Sequence, residues 1–306
     1  MIFYNNWTAI NTGKDIISLN PSITLEDIDA AGISSISQIS KEVTKLAGAH
    51  LGRNPALCLS GGIDSQAAYQ LWDKEFPIEV VIFEFENNLN FNEVLDAVRF
   101  AEKNSIDYKI VKLNVRHFLN SELDHYAQKY KLSSPQFAIH CKFLSLLKEQ
   151  GYTGAVFGGN SMVVERDRVY FSLRKAQLVD LNNFETETFK VIPNFLSFNK
   201  LLCLKLILNT PVMDHSDDTT MLLTRRYENK IRTYTNLNLY IIPQSNKKTG
   251  FEQLKKYYEI VSSTPDAFDI KFRVPLYRQH PDLKTVTNID EEIKNTIINY
   301  CTRLKQ

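Results

Sequence analysis

Residues 56–66 read Ala-Leu-Cys-Leu-Ser-Gly-Gly-Ile-Asp-Ser-Gln, and the fold turns on this stretch. Ala56 to Leu59 is a buried-strand candidate, the adjacent Gly61 and Gly62 turn the chain tightly, and a helix is expected from Asp64 to about Lys74. Lacking a Cβ, the glycines let backbone N–H groups approach an anion and tolerate a positive φ. The helix start adds unpaired N–H groups and a partial positive charge. Ser60 and Ser65 offer hydroxyl donors to phosphate oxygens. Asp64 is out of place beside a phosphate unless a cation bridges them, which makes it a magnesium-ligand candidate. A generic Gly-Gly turn is most simply a strand-to-helix corner in which Asp64 or Ser65 caps the helix. The whole Ser-Gly-Gly-x-Asp-Ser string, set between an apolar strand and a helix, favours phosphate binding instead. The Lys-Ser/Thr ending of a Walker A loop and a spaced GxGxxG are both absent, so a P-loop NTPase and a dinucleotide site find no support.

Working outward, Glu79–Phe85 (EVVIFEF), Tyr108–Leu113 (YKIVKL) and Gly154–Phe157 are further strand candidates. Phe91, Val94, Leu95, Val98 and Ala101 mark one helix face, and a helix around 135–150 precedes the last strand, which runs into Gly158-Gly159. Continuously apolar strands separated by helices predict a parallel sheet covered on both faces, an α/β architecture of the nucleotide-binding kind. We divide the chain into an N-terminal extension (1–50), the nucleotide-binding domain (51–180) and a substrate-defining extension (181–306). The first carries one amphipathic helix, with Ile36, Ile39, Val43, Leu46 and Ala47 on a common face. Beyond Asn160 the alternation fades. A hairpin over 162–173 turning at Arg166-Asp167, a helix over 198–209, another reaching about Arg232, an apolar segment at 237–242 and a closing helix from Asp290 make the last part mostly helical.

Composition excludes more than it selects. The 306 residues are 43% hydrophobic and 23% charged, with 11 Gly and 10 Pro, which rules out disordered and collagen-like chains. Lys plus Arg (36) nearly balances Asp plus Glu (35), so no global charge points to nucleic acid or a membrane surface. The longest apolar run, Leu201–Leu208, is broken by Lys205 and too short for a bilayer. No signal-peptide pattern opens the sequence, and Cys58, Cys141, Cys203 and Cys301 form no CxxC. A cytoplasmic protein with no membrane partner is expected.

The 56–66 string resembles the PP-loop of the ATP pyrophosphatase superfamily (N-type, adenine nucleotide alpha hydrolase-like). That superfamily includes the asparagine, GMP and NAD synthetases, tRNA lysidine synthase and the tRNA thiolases. The match is specific over 56–74 and holds in pattern over about 55–160. The resemblance implies a parallel five-stranded sheet with helices on both faces, and ATP cleavage between the α and β phosphates. Ser60, Gly61, Gly62, Ile63 and Ser65 would hold the pyrophosphate, and Asp64 would hold magnesium. An adenylate forms on a substrate oxygen and a nucleophile displaces it. The adenine site of such relatives maps here to Cys58, Phe83 and Gly158.

Among these relatives, Lys247-Lys248-Thr249-Gly250-Phe251 looks like the Lys-x-Gly-Phe stretch of asparagine synthetases, in which the lysine reaches the α-phosphate. Lys248 is therefore a catalytic candidate; a solvated basic loop is the plainer alternative. Two departures stand against a full asparagine synthetase. Gly158-Gly159-Asn160-Ser161-Met162 replaces that family's acidic string, and Ile2 replaces the nucleophilic cysteine of a fused glutaminase. An amide nitrogen would then come from ammonia, an amine substrate or an ammonia-supplying partner. Residues 225–280 hold eleven basic side chains against five acidic, which suits pyrophosphate, an acidic small-molecule substrate or RNA, with RNA not favoured. Neither the histidines nor the cysteines have zinc spacing, and Cys141 is the one weak thiol candidate. The leading expectation is an ATP-dependent, AMP-forming ligase that adenylates a carboxylate or carbonyl oxygen and then amidates it. A tRNA- or nucleobase-modifying enzyme and a non-catalytic nucleotide-binding regulator are the alternatives.

Overall fold

The computed structural model describes residues 2–5, 7–12, 16–130, 135–159, 162–165, 168–171, 184, 189–212, 219–244, 250, 254 and 284–303. The chain opens with three strands, β1 (Ile2–Asn5), β2 (Thr8–Thr12) and β3 (Ile16–Pro21). Two helices follow, α1 (Leu25–Ile33) and α2 (Ile36–Leu51). Each begins at a capping box, Thr24 with Asp27 and Ser35 with Gln38, which satisfies helix-start N–H groups reciprocally. The N-terminal fifty residues therefore carry two helices and a meander rather than a single helix.

The central sheet is built from β4 (Pro55–Cys58), β5 (Glu79–Phe85), β6 (Tyr108–Leu113), β7 (Gly154–Phe157) and β10 (Lys190–Ile192). Its order is β10-β7-β4-β5-β6 and every neighbouring pair is parallel. The expected α/β class and its five parallel strands are both present. The fifth strand comes from beyond residue 180, so the sheet draws on the segment read from sequence as extension. Between the strands lie α3 (Ile63–Gln70), α4 (Phe91–Lys103), a short α5 (Val115–His117), α6 (Leu123–Lys129) and α7 (Pro135–Glu149).

Alternation along each strand sends side chains to two separate cores. Ala56, Cys58, Val81, Phe85, Val111 and Leu113 meet Phe118, Leu123, Phe143 and Leu147 on the α6–α7 side. Leu57, Leu59, Val80 and Ile82 meet Phe100 and Ala101 of α4, while Val156 and Ile192 meet α2 and α3 through Val43, Ala47, Ile63 and Ala67.

The predicted hairpin forms as β8 (Met162–Glu165) paired antiparallel with β9 (Arg168–Phe171). Helix α8 (Lys200–Leu208) buries Leu202, Cys203, Leu204, Leu206, Ile207 and Leu208, so it is apolar nearly all round and must be enclosed. It sits between the sheet-side cluster (Leu202, Leu206) and a second cluster (Leu204, Ile207, Leu208) shared with α1, the hairpin and α10 (Glu291–Arg303). Helix α9 (Thr219–Asn236) runs toward the 60–65 loop, and β11 (Lys284–Thr287) pairs parallel to β3, closing a β1-β2-β3-β11 sheet. Among the described residues, no helix is long and apolar enough to cross a membrane.

Candidate functional site

Strand order locates the site. From β4 the chain passes to β5 and β6 on one side, then returns to β7 on the other, so β4 and β7 flank the point where the winding reverses. In open α/β sheets ligands bind outside the carboxyl ends of the strands at that point. Here those ends carry Ser60-Gly61-Gly62 and Gly158-Gly159.

Gly61 has φ +73°, and a Cβ there would lie 2.6 Å from Glu93 O and 2.8 Å from Ala97 N, so α4 and the loop touch backbone to backbone. Gly62 is the N-cap of α3 and supplies no side-chain cap. The N–H groups of Gly61, Gly62 and Ile63 have no acceptor among the described residues, which leaves an uncapped helix start facing the strand ends. Such a helix start is the geometry an anion site requires.

The two serines divide their work. Ser65 is buried, and its hydroxyl donates to Gly62 O (2.8 Å) while accepting from Ser60 N (3.2 Å), so it braces the loop from within. Ser60 is exposed, and its hydroxyl donates to Ser65 Oγ at 3.3 Å. Gly158 packs directly on the first turn of α3. A Cβ at 158 would lie 2.5 Å from Asp64 O and 2.6 Å from Ser65 N.

Asp64 is held by side chains that the sequence did not point to. Its Oδ2 accepts from Lys230 Nζ at 2.6 Å and its Oδ1 from the Tyr234 hydroxyl at 2.5 Å. Both partners come from α9, one helical turn apart. Both oxygens are thus held from α9, one by a cation and one by a hydroxyl. No group of three or more His, Cys, Asp or Glu that could hold a metal forms among the described residues. The described residues form no magnesium site of the protein's own making, and no chemical step below passes through one.

Sequence reasoning missed the clamp that holds the loop. Gln66, fully buried, donates through Nε2 to Gly61 O and Ile242 O (both 2.9 Å) and accepts at Oε1 from Ile242 N (2.8 Å). One turn on, Gln70 treats Tyr240 the same way, at 2.6 and 2.8 Å. Two amide side chains four residues apart thus imitate a strand edge, capturing alternate residues of the 240–242 segment. Helical glutamines opposite an apolar run are the signal that could have shown it. The segment brings Gln244 beside the loop: Gln244 Nε2 lies 3.9 Å from a Cβ built on Gly62, and Gln244 N donates to Tyr227 of α9 at 2.8 Å.

Lys247, Lys248 and Phe251 lie outside the described residues. Gly250 is described: its N–H donates to Glu93 Oε2 at 3.0 Å, and it packs on Asn90, the residue that ties β5 to α4 by bonding Phe85 N and Phe83 O (2.8 Å each). Of the adenine candidates, Phe83 is half-buried with one face stacked on Phe143 (centroids 4.1 Å apart), and Cys58 is buried beneath the strand ends.

All four cysteines are buried. Burial pushes the Cys58 thiol up, and those of Cys203 and Cys301 to about 12. We expect an aromatic disulfide reagent to label none of them in the native protein within minutes, and all four in guanidinium. Prompt labelling of one native thiol would reinstate a thiol-dependent reaction.

No protein-family model and no curated protein matches the chain. Among solved structures, a U34-tRNA thiolase from Methanococcus maripaludis aligns with 93% of this chain and 85% of its own, at 17% identity and TM-score 0.37. An NMN synthetase from Francisella tularensis aligns over 84% and 99%, at 13% identity and TM-score 0.37. An NH3-dependent NAD synthetase from Campylobacter jejuni aligns over 92% and 95%, at 15% identity and TM-score 0.33. At scores this low the superpositions carry no functional argument.

Proposed function

We propose that the chain is an ATP-dependent, AMP-forming enzyme that adenylates a carboxylate or carbonyl oxygen of a small molecule and then amidates it. The observation that carries this reading is the uncapped start of α3, reached through Gly61 at positive φ, at the reversal point of the sheet. A site made of backbone donors suits the pyrophosphate end of ATP. The N–H groups of Gly61, Gly62 and Ile63, with the Ser60 hydroxyl, hold that end and stabilise its charge as it leaves. The substrate oxygen attacks the α-phosphorus, the bond to the α,β-bridging oxygen breaks, and pyrophosphate departs with the electron pair. A nitrogen nucleophile then displaces AMP from the adenylate. The purine is assigned to the Cys58, Phe83 and Gly158 side of the strand ends.

Lys248 is assigned to the α-phosphate. Support comes from its described flanks, since Gln244 lies beside Gly62, and Gly250 is bonded to Glu93, whose carbonyl abuts Gly61. The test uses ATP labelled at the α position, a panel of carboxylic acids and ammonium, with products separated by chromatography. AMP and pyrophosphate, formed only with a competent acid, are expected. ADP and inorganic phosphate as the sole products would overturn the reading.

A further inference from the structure

The polar face that α9 turns toward the loop is built from Tyr227, Lys230 and Tyr234, at helical spacing. Tyr227 receives Gln244 N–H beside Gly62, and the other two hold Asp64. Asp64 stands at the second position of α3, where a bare carboxylate would oppose any anion at the helix start. Lys230 cancels that charge at 2.6 Å, and the pair is not sealed off: the side chains are 32% and 22% exposed. An ammonium has three donors, and Asp64 is the partner of Lys230 among the described residues. Tyr234, fully buried, pins the opposite carboxylate oxygen and so fixes the direction from which the lysine is held.

We infer that Lys230 is a second cation, beside Lys248, that this site offers to the phosphate chain, and that Asp64 serves to position Lys230 rather than to bind magnesium. The inference rests on the reading of the loop as a pyrophosphate site, and it assigns that site a built-in cation and a positioning carboxylate. Lys230 contributes charge and donors at the helix start. Asp64 and Tyr234 hold it there, so it need not be ordered when the ligand arrives.

The test is calorimetric binding of inorganic pyrophosphate and of ATP to the full chain, with and without magnesium. Lys230→Gln keeps a hydrogen bond to Asp64 and much of the stem's packing but removes the charge; its melting temperature reports whether α9 remains docked. We expect it to weaken pyrophosphate binding at least tenfold in the absence of magnesium, and Lys230→Arg to restore binding to within a few-fold. Asp64→Asn should weaken magnesium-free binding about three- to tenfold by loosening the lysine. The double variant should bind no better than Lys230→Gln alone.

Three results would overturn the inference. Wild-type affinity in Lys230→Gln would make the pair a docking contact only. Recovery of wild-type affinity in the double variant would mean that Lys230 does no more than neutralise Asp64. A magnesium requirement raised by Asp64→Asn and untouched by Lys230→Gln would return Asp64 to metal ligation. If the wild-type chain binds neither pyrophosphate nor ATP under any condition, the proposed function itself falls. Binding by the wild type with no loss in the variants sinks only the role of Lys230.

Discussion

Gly158→Ala is expected to destabilise the protein by about 3 kcal/mol and to slow turnover on the order of 10²-fold. The added methyl has no side chain to push aside. It meets the Asp64 carbonyl and the Ser65 amide, so the end of β7 and the first turn of α3 must separate, and the 60–62 loop moves with the helix. Denaturant unfolding reads the first effect, and pyrophosphate release the second. Gly151 is the control: it also has a positive φ (+87°), but nothing lies within 4 Å of a Cβ there. Gly151→Ala should lose only about 1 kcal/mol and leave turnover intact. Equal behaviour of the two variants would mean that β7 and α3 are not locked together.

Gln66→Leu should have the second large effect. The replacement fills nearly the same space yet strips the hydrogen-bond partner from Gly61 O and from both backbone groups of Ile242. Buried backbone groups left without partners cost about 1–3 kcal/mol each, so a loss of about 3 kcal/mol or more is expected. The 240–242 segment would then lose its hold on α3, and Gln244 its place beside Gly62, so turnover should fall as well. Gln70→Ala removes the sister clamp at Tyr240, a residue 44% exposed, and water can take over there. That variant should stay within about 1 kcal/mol of wild type. A guanidinium midpoint unchanged in Gln66→Leu would show that Ile242 finds other partners.

These two residues mark the boundary of what the sequence could tell. Strands β4 and β7 were legible because each is an unbroken apolar run bounded by turn residues, and β5 and β6 because β-branched and aromatic residues dominate them between turns. β10 was not: three residues carry no periodicity, and Lys190–Ile192 becomes a strand only because β7 offers it an edge. The sheet that the first three strands form includes Lys284–Thr287, a partner no local pattern reveals. In the site, the Ser-Gly-Gly turn was readable because glycine and serine are demanded by local geometry. Gln66 and Lys230 act on partners 176 and 166 residues away. From sequence, Lys230 is one more charge in a basic stretch. The same distance explains Asp64, whose type suggested a metal while its partner lay in a helix with no motif to announce it.

The pairing of β11 with β3 sets an order on synthesis. A ribosome that has released Pro21 must still make everything up to Lys284 before the fourth strand of that sheet exists, a delay on the order of tens of seconds. Throughout that interval β3 presents an unpaired row of backbone donors and acceptors, the kind of template that recruits stray strands. The 60–65 loop, by contrast, has its sheet neighbours once Ile192 has emerged. The nascent protein thus completes its central sheet well before it can hide its own adhesive edge, and its yield in a cell should depend on whatever shields that edge in the meantime.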